Sequence, residues 1–132
     1  PLLGMSFTVF QKIWRTVGVD HIHTYGLGNK FWETDDSVVE SIQACLSPFL
    51  GGYYVMPVVS SGQWGGQAPE TYRRIQSDDL MYVAGGGIMA HPGGPGAGVI
   101  AIRQAWEAAR KGVLLDDYAK DHVELRQSLE KF

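Results

Sequence analysis

The chain has 132 residues, 45% of them apolar, enough for one buried core and one domain. Its formal net charge is −3 and its basic residues form no run, which leaves a nucleic-acid partner without electrostatic support. No apolar stretch approaches the roughly 20 residues that cross a bilayer, the start shows no signal-peptide pattern, and Cys45 has no second cysteine to pair with; a soluble, reducing, cytoplasmic setting is expected.

Ser6 can cap a first helix running to about residue 17, with Phe7, Phe10, Ile13, Trp14 and Val17 on one face and Gly18 at its end. Residues 19–23 read as a short strand, followed by the loop Thr24-Tyr25-Gly26-Leu27-Gly28-Asn29-Lys30. A second helix starts near Asp35 or Asp36 and turns Val38, Val39, Ile42, Cys45 and Leu46 to one side; Glu33 and the two aspartates open and cap it. The next strand, residues 54–59, leads into Ser60-Ser61-Gly62 and then a helix over 69–76 with Pro69 in its first turn. Asp78-Asp79 makes a turn into a third strand, residues 80–84. Helices are predicted over 97–111 and, charge-rich, over 116–131.

Glycine, 17 residues of the chain, is the compositional oddity, and it clusters behind strands. Gly85-Gly86-Gly87 follows the third strand, and further glycines surround His91-Pro92 before the next helix. Such a turn leaves backbone N–H groups bare at a helix N-terminus, where α/β proteins hold phosphate. Taken alone, the same glycines are also what tight turns and close packing require.

Apolar strands alternating with helices predict an α/β fold with parallel strands. Strand starts near 19, 54 and 80 match the repeat of a (β/α)8 TIM barrel, but a whole barrel takes about 250 residues. Three strands alone leave two raw edges and an uncovered apolar face. The chain also begins at Pro1 in mid-pattern. It is therefore expected to be the C-terminal segment of such a barrel, incomplete on its own, completed by the remainder of the protein or by a companion chain. Barrel sites lie at the carboxyl ends of the strands, which here places His23, Ser60 and the Gly85 triplet together.

Three blocks now point to a family. Asp20-His21-Ile22-His23 with Lys30 seven residues on resembles strand six and loop six of the RuBisCO superfamily. Pro57-Val58-Val59-Ser60-Ser61-Gly62 resembles its strand seven, although Ser61 stands where a glycine is usual. Ala84-Gly85-Gly86-Gly87 with His91-Pro92 resembles strand eight and the turn after it. The loop Gly26-Leu27-Gly28-Asn29-Lys30-Phe31-Trp32-Glu33 is unlike that of true carboxylases and is similar to RuBisCO-like proteins acting on other phosphorylated sugar derivatives. The segment 1–132 is thus expected to be the C-terminal portion of a RuBisCO-like barrel domain.

The resemblance implies site roles residue by residue. Lys30 is implied as the mobile-loop lysine that closes over substrate, with Gly26 and Gly28 as hinges; read alone it is a solvated loop lysine. His23 is implied as a ligand to a substrate phosphate or hydroxyl, where the bare sequence reads a hydrogen-bonded strand histidine. Ser60 is implied to hydrogen-bond the substrate beside the reacting carbons, otherwise a plain turn residue. Ser61, Gly62, Gly85 and Gly86 are implied to bind phosphate, the glycines through backbone N–H groups. His91 and Trp64 are assigned to packing. His21 and His23 also form an HxH pair of the kind that ligates metal, yet no supporting ligands stand at other strand ends.

As implied by the resemblance, the whole protein is an enzyme that enolises a phosphorylated ketose or 3-oxo sugar acid with Mg²⁺, then decarboxylates or isomerises it. The Mg²⁺ would sit on a carbamylated lysine, an Asp and a Glu outside this chain, and a homodimer is expected. Alternatives are a fragment of a true ribulose-bisphosphate carboxylase, a non-catalytic phosphate-binding scaffold, or an unrelated phosphate-binding barrel. In the last, the lysine would lie on the strand itself, and Lys30 does not.

Overall fold

The computed structural model describes residues 4–132; Pro1, Leu2 and Leu3 of the 1–132 segment lie outside that description. In chain order the elements are α1 (Phe7–Thr16), β1 (His21–His23), α2 (Asp35–Leu46), β2 (Met56–Val59), a 3-10 turn (Gly65–Gln67), α3 (Ala68–Ile75), β3 (Met81–Tyr82), α4 (Gly85–Met89), α5 (Gly94–Lys111), α6 (Leu115–Tyr118) and α7 (Val123–Lys131). Ser6 caps α1 by accepting from Val9 N at 3.3 Å. Thr34, rather than an acidic residue, caps α2; Asp35 and Asp36 fill its first turn and Glu33 accepts from the Ser37 hydroxyl.

The strands form one parallel sheet in the order β1-β2-β3, with Ile22 opposite Pro57 and Val59 opposite Tyr82. Each is shorter than its apolar run, because a strand persists only where a partner supplies ladder bonds. On the helix side Leu27, Val38, Ile42, Val59 and Ile75 form one core cluster; Ala68, Ala105, Ala119 and Leu125 form another beneath α5. Small alanines let α3, α5 and α7 approach closely.

Three expectations change. The charge-rich tail breaks at residues 119–122 into α6 and α7, because Gln104 Oε1 takes the Leu125 N–H at 2.9 Å and draws Leu125 onto α5. The glycine run after β3 is not an open turn: Gly85–Met89 is a short helix, and α5 begins at Gly94, three residues before the predicted start. Finally, α1 is turned inside out relative to its apolar face. Its buried residues are Gln11 and Arg15, while Phe10, Ile13 and Trp14 are 43–48% exposed. Arg15 donates to the carbonyls of Ala44, Ser47 and Tyr53, so a cation closes the C-terminal end of α2.

The sheet face opposite the helices carries His21, His23, Met56, Met81 and Val83, all exposed. Together with the aromatic face of α1 it forms an open apolar surface on one side of the molecule, the side that a closed barrel fills.

Candidate active site

Alternation along β1 buries Ile22 among the helices and turns His21 and His23 to the open face. The same alternation on β2 brings Ser60 to that face. His23 Nδ1 and Ser60 Oγ lie 3.1 Å apart, and Ser60 Oγ lies 3.4 Å from Ser61 Oγ. Three of the sequence-derived site residues therefore meet as one polar cluster. An open cleft of about 450 Å³ runs beside them, walled by Phe7, Phe10, Trp14 and Tyr25.

Beyond Ser60 the chain passes through two left-handed residues, Ser61 at φ +76° and Gly62 at φ +95°. That conformation costs a non-glycine residue about 1 kcal/mol, which is the physical reason for a glycine preference where Ser61 stands. The turn presents Ser61 O to the Lys30 backbone N–H at 3.3 Å, and Lys30 Cβ lies 3.9 Å from where a Gly62 side chain would begin. The loop backbone is thus docked beside the serines, while the Lys30 ammonium rests 5.6 Å above the Phe31 ring. The structure brings the lysine's main chain to the cluster and leaves its charge outside.

Gly85 stands three residues past the Val59–Tyr82 pair and opens α4 at the carboxyl end of β3. A Cβ built on Gly85 or Gly86 would meet nothing within 4 Å, so neither glycine is needed for packing among the described residues. Gly87 differs: its Cβ would fall 2.7 Å from Trp64 Cβ and 2.9 Å from Gln63 O. Trp64 in turn packs against Phe132, with ring centroids 5.3 Å apart and the planes tilted by 35°. His91 is buried, taking the Gly93 N–H on Nδ1 at 3.0 Å with Nε2 2.9 Å from Glu124 O, which ties the turn after α4 to α7.

Several contributors escaped the sequence reading. Buried Gln63 donates from Nε2 to Leu27 O at 3.1 Å, and its Oε1 accepts from Tyr82 OH at 3.2 Å. The Tyr82 hydroxyl also reaches Trp64 O at 2.8 Å, and burial pushes it above the ordinary phenol range. Asp35 Oδ1 accepts the Gly28 N–H at 2.8 Å. Gly26, expected as a hinge, is buried under the Gln63 amide, where any Cβ would overlap it. The only hint in the sequence was a glutamine directly after a strand-end Ser-Gly. Among the described residues, no group of three or more His, Cys, Asp or Glu is gathered for a metal, and His21-His23 gains no further ligand.

Three parallel strands backed by helices, with polar side chains and open glycines at their carboxyl ends, are the arrangement of one segment of a (β/α)8 barrel. Residues 2–132 match the family described as ribulose bisphosphate carboxylase large chain, catalytic domain, and the chain belongs to that family. Along its full length it is 52% identical to the 3-oxo-isoapionate-4-phosphate decarboxylase of Rhizobium etli. Over 98% of its length it is 48% identical to the 3-oxo-isoapionate-4-phosphate transcarboxylase/hydrolase of Xanthobacter autotrophicus. The crystal structure of a rubisco-like protein from Burkholderia fungorum superposes with a TM-score of 0.93 at 46% identity, covering 98% of this chain. The chain spans 32% of the length of each of these three relatives, as the C-terminal part of their barrel.

Proposed function

We propose that this segment serves a RuBisCO-like enzyme that decarboxylates a phosphorylated 3-oxo sugar acid, with 3-oxo-isoapionate 4-phosphate as the substrate to test. The observation that carries the reading is the His23–Ser60–Ser61 cluster with the Lys30 loop docked against it at the strand ends. The decarboxylase relative at 52% identity supports the substrate class. The remaining strands, a second copy forming a homodimer, and Mg²⁺ on a carbamylated lysine, an Asp and a Glu belong to the same proposal. That ion, when bound, polarises the ketone. No described cluster fits it, so no step is assigned to it in this segment.

In a 3-oxo acid the bond between C1 and C2 breaks, its electron pair passes into the C3 ketone as an enolate, CO₂ leaves, and a proton adds at C2. The Ser60 hydroxyl and His23 hydrogen-bond the substrate beside these carbons. N–H groups of Gly62, Gly85 and Gly86, with the Ser61 hydroxyl, hold the phosphate. Loop closure lifts Lys30 from Phe31 and brings its ammonium to the substrate carboxylate, which it turns out of the ketone plane for cleavage.

The test separates the carboxylate from the rest. In the full-length protein Lys30→Met is expected to lower CO₂ release from 3-oxo-isoapionate 4-phosphate by about 100-fold or more, some 2.7 kcal/mol. The same variant still exchanges the α-proton of the ketose phosphate product with deuterium. Ser60→Ala impairs both, because it positions the substrate for either. Turnover of Lys30→Met within about threefold of wild type, under roughly 0.7 kcal/mol, would make Lys30 a solvated loop residue. Formation of two carboxylic acids without CO₂ would instead favour hydrolytic cleavage.

A further inference from the structure

The loop that carries Lys30 has two parts with different attachments. Its root, Gly26-Leu27, is buried and held by a side chain from the turn after β2. Gln63 Nε2 donates to Leu27 O, and Oε1 faces the Tyr82 hydroxyl on β3. Leu27 O only accepts, so the amide has one orientation, and the Tyr82 hydrogen is shared between Gln63 Oε1 and Trp64 O. The backbone of Gln63 and Trp64 in turn supports Gly87 in α4. Past the root the attachments are more exposed or longer: Gly28 N–H to Asp35, Asn29 bonded to Phe31 N and Glu33 O at 2.9 and 3.0 Å, and the Lys30 N–H to Ser61 O at 3.3 Å, a bond that opening breaks. Gly28 is left-handed at φ +57°, and Phe31 and Trp32 are 53% and 76% exposed.

We propose that Gln63 is a positioning residue for Lys30: it pins the loop root to β2 and β3, so that only the segment from Gly28 onward opens and closes. This rests on the role given to Lys30 in the preceding reading. With the root fixed, closure is a short swing about Gly28 that returns the ammonium to one place. With the root free, the same swing spreads over residues 24–33 and the ammonium samples many places. A buried amide with both its nitrogen and its oxygen bonded, between the ends of three strands, suits that task, because moving it strands Leu27 O without a donor. It also explains the glycine at position 26: a methyl there lands on the Gln63 amide and pushes it off both partners.

The experiment uses the full-length protein with 3-oxo-isoapionate 4-phosphate and compares Gln63→Met, Gly26→Ala, their double variant and Lys30→Met. Gln63→Met and Gly26→Ala are each expected to lower CO₂ release by about tenfold while leaving deuterium exchange of the ketose phosphate product within about twofold. The double variant is expected to be no slower than the worse single, since both displace one amide. Should Gln63→Met not fold, Tyr82→Phe carries the same test, because it removes only the hydroxyl above the amide. If Lys30→Met stops CO₂ release and the Gln63 and Gly26 variants do not slow it, the positioning role is overturned while the Lys30 reading stands. The same holds if exchange and release fall together, which marks a purely structural residue. Wild-type turnover by Lys30→Met overturns both.

Discussion

The glycines after β3 offer the sharpest test, because neighbouring positions predict opposite behaviour. Gly86 lies in the first turn of α4 with an ordinary helical φ, and its Cβ would meet nothing within 4 Å. Gly86→Ala therefore leaves packing untouched. By restricting the unfolded chain it stabilises the fold by about 0.4–1 kcal/mol. If Gly86 N–H faces a phosphate oxygen, the same methyl stands where that oxygen must approach. Losing one or two charge-assisted contacts costs about 1–3 kcal/mol of binding, an increase of about 5- to 160-fold in Kd. Gly87→Ala is the control: its methyl is directed into Trp64 and the Gln63 carbonyl at 2.7–2.9 Å, so overpacking lowers stability by about 1–3 kcal/mol. Titration calorimetry with inorganic phosphate and thermal melts of the full-length variants give both axes. Gly86→Ala with an unchanged Kd, or with a Tm several degrees lower, would refute the open-cradle reasoning and leave a packing glycine.

Arg15→Met should destabilise the protein by about 2–4 kcal/mol in urea unfolding, since the carbonyls of Ala44, Ser47 and Tyr53 lose their shared donor; a change under about 0.5 kcal/mol would show that water replaces it. Burial pushes the Cys45 thiol up to about 11, against the opposing effect of the Arg15 guanidinium. A raised thiol pKa favours the folded state below the unfolded value near 9 and loses that contribution as pH rises through about 11. Urea midpoints from pH 8 to 11 should fall more steeply in wild type than in Cys45→Ala, and parallel curves would contradict the shift. The 132-residue chain expressed alone should bind hydrophobic dyes and self-associate, given exposed Phe10, Ile13, Trp14, Met81 and Val83. A monodisperse 14.5 kDa monomer with a cooperative melt would show that the surface is tolerated.

Local chemistry alone determined the order of elements from α1 to β3 and the long helix α5, the Ser6 start of α1, the start of α2 beside Asp35, and the placing of polar residues and glycines directly behind strands. Caps, hydrophobic period and turn residues act over a few positions, and those signals survive whatever the distant chain does. The His23–Ser60 meeting followed once the strands were taken as parallel neighbours, because strand ends then converge. What lay beyond local signals was decided by contacts across long separations. Gln63 reaches Leu27 across 36 positions and Tyr82 across 19, and nothing in the periodicity of either stretch marks the pairing. The same is true of Gly86 and Gly87, identical in sequence terms, of which only the second has a neighbour pressed against it. Most plainly, the amphipathic pattern of α1 identifies an apolar face but not what covers it. In this fold α2 claims the side with Gln11 and Arg15, because three α2-end and loop carbonyls need a donor there, and the aromatic side is left open.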